Sequence, residues 1–357
     1  MRVVFFIYLF LLLSSPANSQ QLCALVSYPD FTNYHTPQAY IDENLKVIYK
    51  EDPNQTISER IFEYKDGLGR IRREGKFGFI DHKGNEVVPV TFDGAMDFNE
   101  GLAEVKVDYK WGYINTKGKI VIEPKYKISH KFSCGLAAFD DEKNGKHGFI
   151  DPEGKVAIPA IYDRVTHFKE NKAWVLIKGK WGCIDKSGKF IIEPQYDDTY
   201  DFSEGYSWVR ISRAWGLIDV ANKIIIPFRE DNHLVYSESG AKKILAQVRC
   251  GMIVTKENGK TGYSTLPDLK KVIPSKFDEV GQFEDSLAVA SVDGKWGVIR
   301  TDGSFYIEPK FGKMKYLGNK NIFAVEQNKN FRMYFKDSGK ISNEEFQTVH
   351  NFEAIKQ

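Results

Sequence analysis

Apolar and polar residues alternate along much of the chain, as in Leu102-Ala103-Glu104-Val105-Lys106-Val107. A period of two is the pattern of a half-buried strand. A second strand pattern follows in Lys110-Trp111-Gly112-Tyr113-Ile114-Asn115, and a third in Ile120-Val121-Ile122-Glu123-Pro124. Between these two, Asn115 opens a tight turn and Gly118 ends it, which suits a type I turn closed by a left-handed residue. The pair therefore reads as a β-hairpin. Proline has no N–H to give to a ladder, so Pro124 marks a strand end or a sheet edge. No segment in this part of the chain sustains a helical period.

The same wording returns. Phe77-Gly78-Phe79-Ile80-Asp81, His147-Gly148-Phe149-Ile150-Asp151, Lys180-Trp181-Gly182-Cys183-Ile184-Asp185 and Trp215-Gly216-Leu217-Ile218-Asp219 repeat the phrase around Gly112. Trp296-Gly297-Val298-Ile299-Arg300 is another copy and Thr261-Gly262-Tyr263-Ser264 a worn one. The anchoring glycines, at 78, 112, 148, 182, 216, 262 and 297, are separated by 34, 36, 34, 34, 46 and 35 residues. Turn glycines recur at 84, 118, 154, 188 and 303. After the second strand comes an aromatic-acid pair, as in Phe92-Asp93, Tyr162-Asp163, Tyr196-Asp197 and Phe277-Asp278. A further aromatic follows at Phe98, Phe132, Phe168, Phe202 or Phe283, then phrases such as Asn99-Glu100-Gly101 and Ser203-Glu204-Gly205. Each unit is thus an antiparallel meander of three strands, or four if the short aromatic segment pairs. A fixed period of this length denotes a repeat architecture.

The Lys-Trp-Gly phrases at 110–112, 180–182 and 295–297, with their Ile-Asp, turn glycine and Glu-Pro, resemble the WG-repeat family over about residues 64–342. The family is widespread in bacteria, often exported, and in general without an assigned catalytic activity. The resemblance therefore implies an all-β interaction scaffold and carries no catalytic residue. Phe77, His147 and Thr261 depart from it by replacing Trp.

The expected fold is all-β, a tandem array of about seven short meanders. A propeller-like ring is preferred to an open superhelix, since closure removes long sheet edges. Against the ring, a unit of 34 residues is short for a four-stranded blade. A half-unit at Tyr64-Lys65-Asp66-Gly67-Leu68-Gly69 precedes the first hairpin and could lend a strand to the last blade. Residues 20–63 read as an amino-terminal cap, 64–342 as the array, about 229–259 as an insertion, and 343–357 as a polar tail. Phe331-Arg332-Met333-Tyr334-Phe335 and Asp337-Ser338-Gly339 are a degenerate closing unit, as expected where a repeat meets solvent.

At the amino terminus, Met1-Arg2 precedes an apolar run from Val3 to Leu13 and the small-residue tripeptide Ala17-Asn18-Ser19. That reads as a secretory signal peptide, residues 1–19, too short to span a bilayer. The expected location is therefore secreted, periplasmic or at the cell envelope. Composition agrees with an ordinary globular protein except in one respect: 25 Phe, 18 Tyr and 6 Trp make 14% aromatic residues, which pleated sheets accommodate well. Lys plus Arg number 50 and Asp plus Glu 48. So even a balance argues against a nucleic-acid partner.

Chemistry is sparse in the pattern. Asp81, Asp151, Asp185 and Asp219 recur, so each reads as an acceptor for its own turn and not as a member of a catalytic pair. Glu123, Glu193 and Glu308 could form a surface ladder. Trp111, Trp181, Trp215 and Trp296 read as packing knobs between units before they read as a stacking platform for sugars. The histidines at 35, 82, 130, 147, 167, 233 and 350 fall at no metal-ligand spacing, and no nucleophile, zinc or phosphate-loop motif is present. Cys23, Cys134, Cys183 and Cys250 leave three pairings open, with Cys183 read as a small core residue. No catalytic, cofactor or metal residue is assigned, no cofactor is expected, and the binding residues are open. The reading is an exported scaffold for an envelope protein or glycan; the alternative is a propeller-like hydrolase of envelope carbohydrate.

Overall fold

The computed structural model describes residues 22–27, 38–42, 47–50, 60–81, 83–230, 235–236, 242–243, 248–327, 329–343, 345–349 and 353–354. The expected signal peptide lies outside them. No helix occurs among the described residues. Eight antiparallel meanders follow one another at residues 60–92, 94–126, 137–162, 164–196, 198–229, 252–277, 287–311 and 314–341, numbered here as blades 1 to 8. Blade 2 shows the plan: Gly94–Ala95, Leu102–Val107, Lys110–Asn115 and Ile120–Tyr126 lie side by side in chain order. The short aromatic segment does pair, in blades 2, 4 and 5, through its two-residue first strand. A unit of this length thus reaches four strands because the first is so brief.

A further sheet is built from both ends of the chain. Leu22–Ser27 pairs with Gln38–Asp42 on one side and with Thr348–Val349 and Glu353–Ala354 on the other. This shared sheet joins the two ends of the array, as the propeller-like ring requires. The half-unit does not lend a strand to the last blade: Arg60–Lys65 and Leu68–Arg73 pair with each other in blade 1. Closure uses the outermost segments instead, because blade 8 already completes its own four strands. The array therefore contains one unit more than the seven marked by the phrase, and parts of the expected cap and tail belong to the closing sheet.

Why the phrase needs its glycine is visible in the register. In blade 3, His147 lies opposite Tyr162 but Phe149 lies opposite Ile158, so two steps on one strand face four on the other. The surplus is a bulge around Pro159, and it presses on the hairpin strand. A β-carbon on Gly148 would sit 2.5 Å from the Ile158 carbonyl oxygen, 2.7 Å from the Ala160 nitrogen and 2.8 Å from the Pro159 carbonyl carbon. Gly78, Gly112, Gly182, Gly262 and Gly297 face the same obstruction. Gly216 instead meets the Phe228 ring at 3.0 Å. The prolines lie on edge strands, where their missing N–H breaks no ladder.

Packing runs between blades. Leu68, Phe79 and Val88 of blade 1 share a core with Ala95, Ala103, Val105 and Ile114 of blade 2 and with Phe98 beside them. The buried knob is the residue after the phrase glycine: Phe79 meets Phe98 at 4.6 Å, Tyr113 meets Phe132 at 5.0 Å, and Phe149 meets Phe168 at 4.7 Å, all edge-on. At Cys183, where that residue is smallest, its cross-strand partner is large. Cys183 lies opposite Trp174, whose ring stacks on Phe202 at 5.4 Å. The reading of Cys183 as a core filler holds: it is fully buried, and burial pushes its thiol up to about 12.

Gly148→Ala should lower stability by about 3 kcal/mol, because all three obstructing atoms are backbone. Gly216→Ala should cost about 1 kcal/mol, because the Phe228 ring can turn aside. Urea unfolding midpoints of the two variants check the ranking; equal losses would contradict it.

Candidate functional site

Two ends of each blade carry the loops. Leu102 pairs with Asn115, so the Asx turn and the Glu-Gly turn share one face, called here the turn face. The hairpin turns and the aromatic-acid pairs share the other, the hairpin face. On the turn face, Asp81, Asp151, Asp185 and Asp219 each accept backbone N–H groups two and four residues on, at 2.8–3.1 Å. Their recurrence is thus structural, and Asn115 does the same.

A second set of recurring carboxylates ties blade to blade. On the turn face, Glu100 of the blade 2 turn takes the N–H groups of Cys134 and Gly135 in the next turn, both at 2.7 Å. Glu204 takes those of Cys250 and Gly251 at 2.8 and 2.7 Å, and Glu170 takes those of Glu204 and Gly205 at 2.5 and 2.8 Å. Asp66 reaches Gly101 at 2.9 Å. On the hairpin face, Asp93 joins Lys76 of blade 1 at 2.5 Å to the Asp108 N–H of blade 2 at 3.1 Å. Asp163, Asp197 and Asp278 repeat that bridge with Lys146, Lys180 and Lys260. The lysine bond holds all four carboxyls below the ordinary aspartate range.

One joint reverses the arrangement. Lys127 stands where the others have Asp, and Glu142 in the next blade's longer hairpin turn receives both Lys110 and Lys127, at 3.1 and 3.0 Å. The carboxylate has changed sides of the joint, and it now serves two lysines.

What the repeat does not explain clusters around blades 2 to 4. His130, Asp140 and His147 fill slots held in blade 2 by Met96, Lys106 and Trp111. There, the Lys106 ammonium lies 5.7 Å from the Trp111 ring centre. Here, Asp140 Oδ1 lies 2.6 Å from His147 Nδ1 and 3.5 Å from His130 Nε2, and the His130 and His167 rings are 6.1 Å apart. Burial, Lys131 and His130 hold the His167 imidazole below its usual range. Among the described residues no group of three His, Cys, Asp or Glu is placed to hold a metal ion. Nearby, Arg70 Nε pairs with Asp97 at 3.0 Å. Glu104 lies buried opposite Tyr113, its carboxyl raised to about 7 by burial and by the Asp97 charge, against the pull of Lys131 and Arg70. Sequence spacing missed the histidine group because its members are neighbours only across strands. Superposing the units slot by slot would have exposed it.

The remaining expected features divide. Glu123, Glu193 and Glu308 are exposed on edge strands. Trp215 is buried, whereas Trp111, Trp181 and Trp296 are half-buried at the hairpin-face end, so the knob role passes to the residue after the glycine. Cys134 is half-buried, Cys250 exposed, and both, like Cys183, are free thiols. The side chain of Cys23 lies outside the described residues, as do His35, His82, His233 and His350. The insertion contains the short hairpin Val235–Tyr236 with Lys242–Lys243, and the repeat resumes at Val248, whose carbonyl accepts the Ser203 hydroxyl at 2.8 Å. On the turn face a cavity of about 380 Å³ spans the turns of blades 5 to 8, lined by Glu204, Arg249, Cys250, Glu284, Asp285 and Gly318.

The sequence profile of the family described as WG containing repeat matches residues 77–111, 111–146, 148–181, 181–212, 268–296 and 296–331. No curated protein matches the chain by sequence. In overall structure it is similar to a crystal structure of the eukaryotic initiation factor, at 12% identity and a TM-score of 0.52, covering 94% of this chain and 98% of that one. Apo AztD from Citrobacter koseri follows at 10% identity and 0.36, covering 93% and 97%. KlHsv2 with loop 6CD replaced by a Gly-Ser linker aligns at 10% identity and 0.40, covering 94% and 95%. The first likeness bears on fold alone.

Glu104 yields a pH test. Its folded pKa lies above the ordinary 4.5, so the folded state favours the protonated form. Stability therefore falls as pH rises from about 4.5 to about 7, and is level above that. Glu104→Gln should remove this slope and be the more stable form at pH 8, by on the order of 3 kcal/mol. Urea midpoints of both proteins at pH 5 and pH 8 check it; an unchanged slope would refute the assignment.

Proposed function

Since this chain belongs to the WG containing repeat family, we propose that it is an exported, non-catalytic scaffold that binds a protein or glycan at the cell envelope or outside the cell. One observation carries the reading: the recurring carboxylates are committed to turns and blade joints. That leaves the exposed rim and the two loop faces as the surfaces offered to a partner. The signal-like residues 1–19 support export, and among the described residues no helix is long and apolar enough to cross a membrane. The near-neutral charge favours recognition by shape and local contacts over long-range attraction.

The hydrolase alternative draws on a convergent pair of carboxylates, Asp97 and Glu104. Glu104 is 4% exposed and Asp97 is bound to Arg70, so neither is presented to a polysaccharide as an acid or base would need to be.

Affinity capture from envelope extracts with the mature protein tests the scaffold reading. Capture of a defined partner that competes with added free array, and persists when residues 231–247 are deleted, is the expected result. Turnover of envelope glycans by the purified protein, abolished in Glu104→Gln, would favour the hydrolase.

A further inference from the structure

Among the two-residue turns that open blades 3 to 7, those at Cys134-Gly135, Glu204-Gly205 and Cys250-Gly251 have both N–H groups held by a glutamate of the preceding turn, and two do not. Cys134 stands in the carboxylate slot before the Glu170-Asn171 turn, and Cys250 before Asp285-Ser286. These four turn residues have φ of 51°, 59°, 49° and 67°. Both residues are left-handed, as at Cys134-Gly135 and Cys250-Gly251, whose φ are 55° and 77°, and 53° and 66°. The turns are therefore alike and present their paired N–H groups alike. No described group accepts from the N–H groups of Asp285 and Ser286. The cavity beside Cys250 and Asp285 spans this same joint. A cysteine side chain ends two atoms short of a glutamate carboxylate's oxygens, which leaves room where Glu100, Glu170 and Glu204 reach across.

We propose that the joint between blades 6 and 7 is a binding site for a single carboxylate group. The ligand's two oxygens would take the Asp285 and Ser286 N–H groups, as the chain's own glutamates do at the equivalent turns. Such bonds to an ionised acceptor are stronger than neutral ones, and paired turn amides form an anion-binding concavity. Arg249 brings a cation to the lining. Two of the lining acids are already engaged: Glu204 by the turn before, and Asp285 by the Tyr316 hydroxyl at 2.9 Å. Glu284, exposed in the lining, disfavours ligands of higher charge, so a monocarboxylate suits the site better than a phosphate. The carboxylate could come from a uronic acid or a peptide carboxyl terminus. This rests on the scaffold reading only for what delivers the ligand.

The test is amide NMR of the mature protein titrated with glucuronate, with an N-acetyl dipeptide, with that dipeptide amidated, and with inorganic phosphate. Saturable shifts at Asp285 and Ser286 with either carboxylate are expected, and which one acts identifies the source. Cys250→Glu should supply the missing acceptor, raise the melting temperature, and weaken binding at least about tenfold; Cys250→Ser should bind as the parent does. If Cys250→Glu fails to fold, Cys250→Asp, patterned on the Asp66 contact, replaces it. The proposal is overturned by an absence of shifts with both carboxylates, by equal response to phosphate or the amidated peptide, or by undiminished binding in the folded acidic variant. A failed partner capture would leave these amide shifts unaffected, so the two readings fail separately.

Discussion

The backbone of the edge strand lies against the α-carbon of the phrase glycine, closely enough that Gly148 could carry no side chain without displacing Ile158, Pro159 or Ala160. Much of the architecture follows from this contact. The bulge that causes it bends the last strand of each meander, and a bent strand carries a stronger twist. Proline fits on that strand because it lies at the sheet edge. The bulge recurs at the same register in blades 1 to 4, 6 and 7, so these blades share one shape and stack alike, whereas blade 5 has a smaller bulge, two steps facing three. Blade 8 lacks the phrase glycine and lacks the bulged fourth strand: its last strand is only Lys340–Ile341.

Once the blades share a shape, the joints between them need only small, repeated interactions. The knob after the glycine enters the next blade beneath its phenylalanine, and the cross-strand partner adjusts in size, as Trp174 does for Cys183. Carboxylates then fasten the two faces: glutamates to turn amides on one, aspartates between a lysine and a hairpin amide on the other. Individually such exposed ion pairs contribute little. Their worth is in register, because each accepts from backbone groups and so fixes the rotation of one blade against the next. Lys127 and Glu142 show that the carboxylate of a joint can be supplied from either side.

The departures from the pattern hold the chemistry that remains. Glu104, His130, Asp140 and His147 occupy slots that other blades fill with residues such as Trp174, Met96, Lys106 and Trp111, and His130 and His147 meet around Asp140. Cys134 and Cys250 occupy slots that want a carboxylate. In a repeat protein an exception is visible only against its copies, so the physical meaning of these residues is set by what the same position does elsewhere.

Periodicity sufficed to determine the strand content, the hairpin turns, the unit length and the all-β class, because these depend on contacts within about thirty-five residues and each is written several times over. The turn role of Asp81 and its counterparts was legible for the same reason. The interaction partners of Glu100, Asp93 and the Trp slots were not. Each reaches into the following blade or across a strand, and a linear spacing does not say which neighbour it meets. Closure was beyond the pattern as well: Leu22–Ser27 and Thr348–Val349 share no phrase with the repeat, and only the return of the chain on itself places them in one sheet. Local periodicity specified the blade. The tertiary structure decided how blades are joined, because the joining groups are far apart in sequence and meet only when the ring forms.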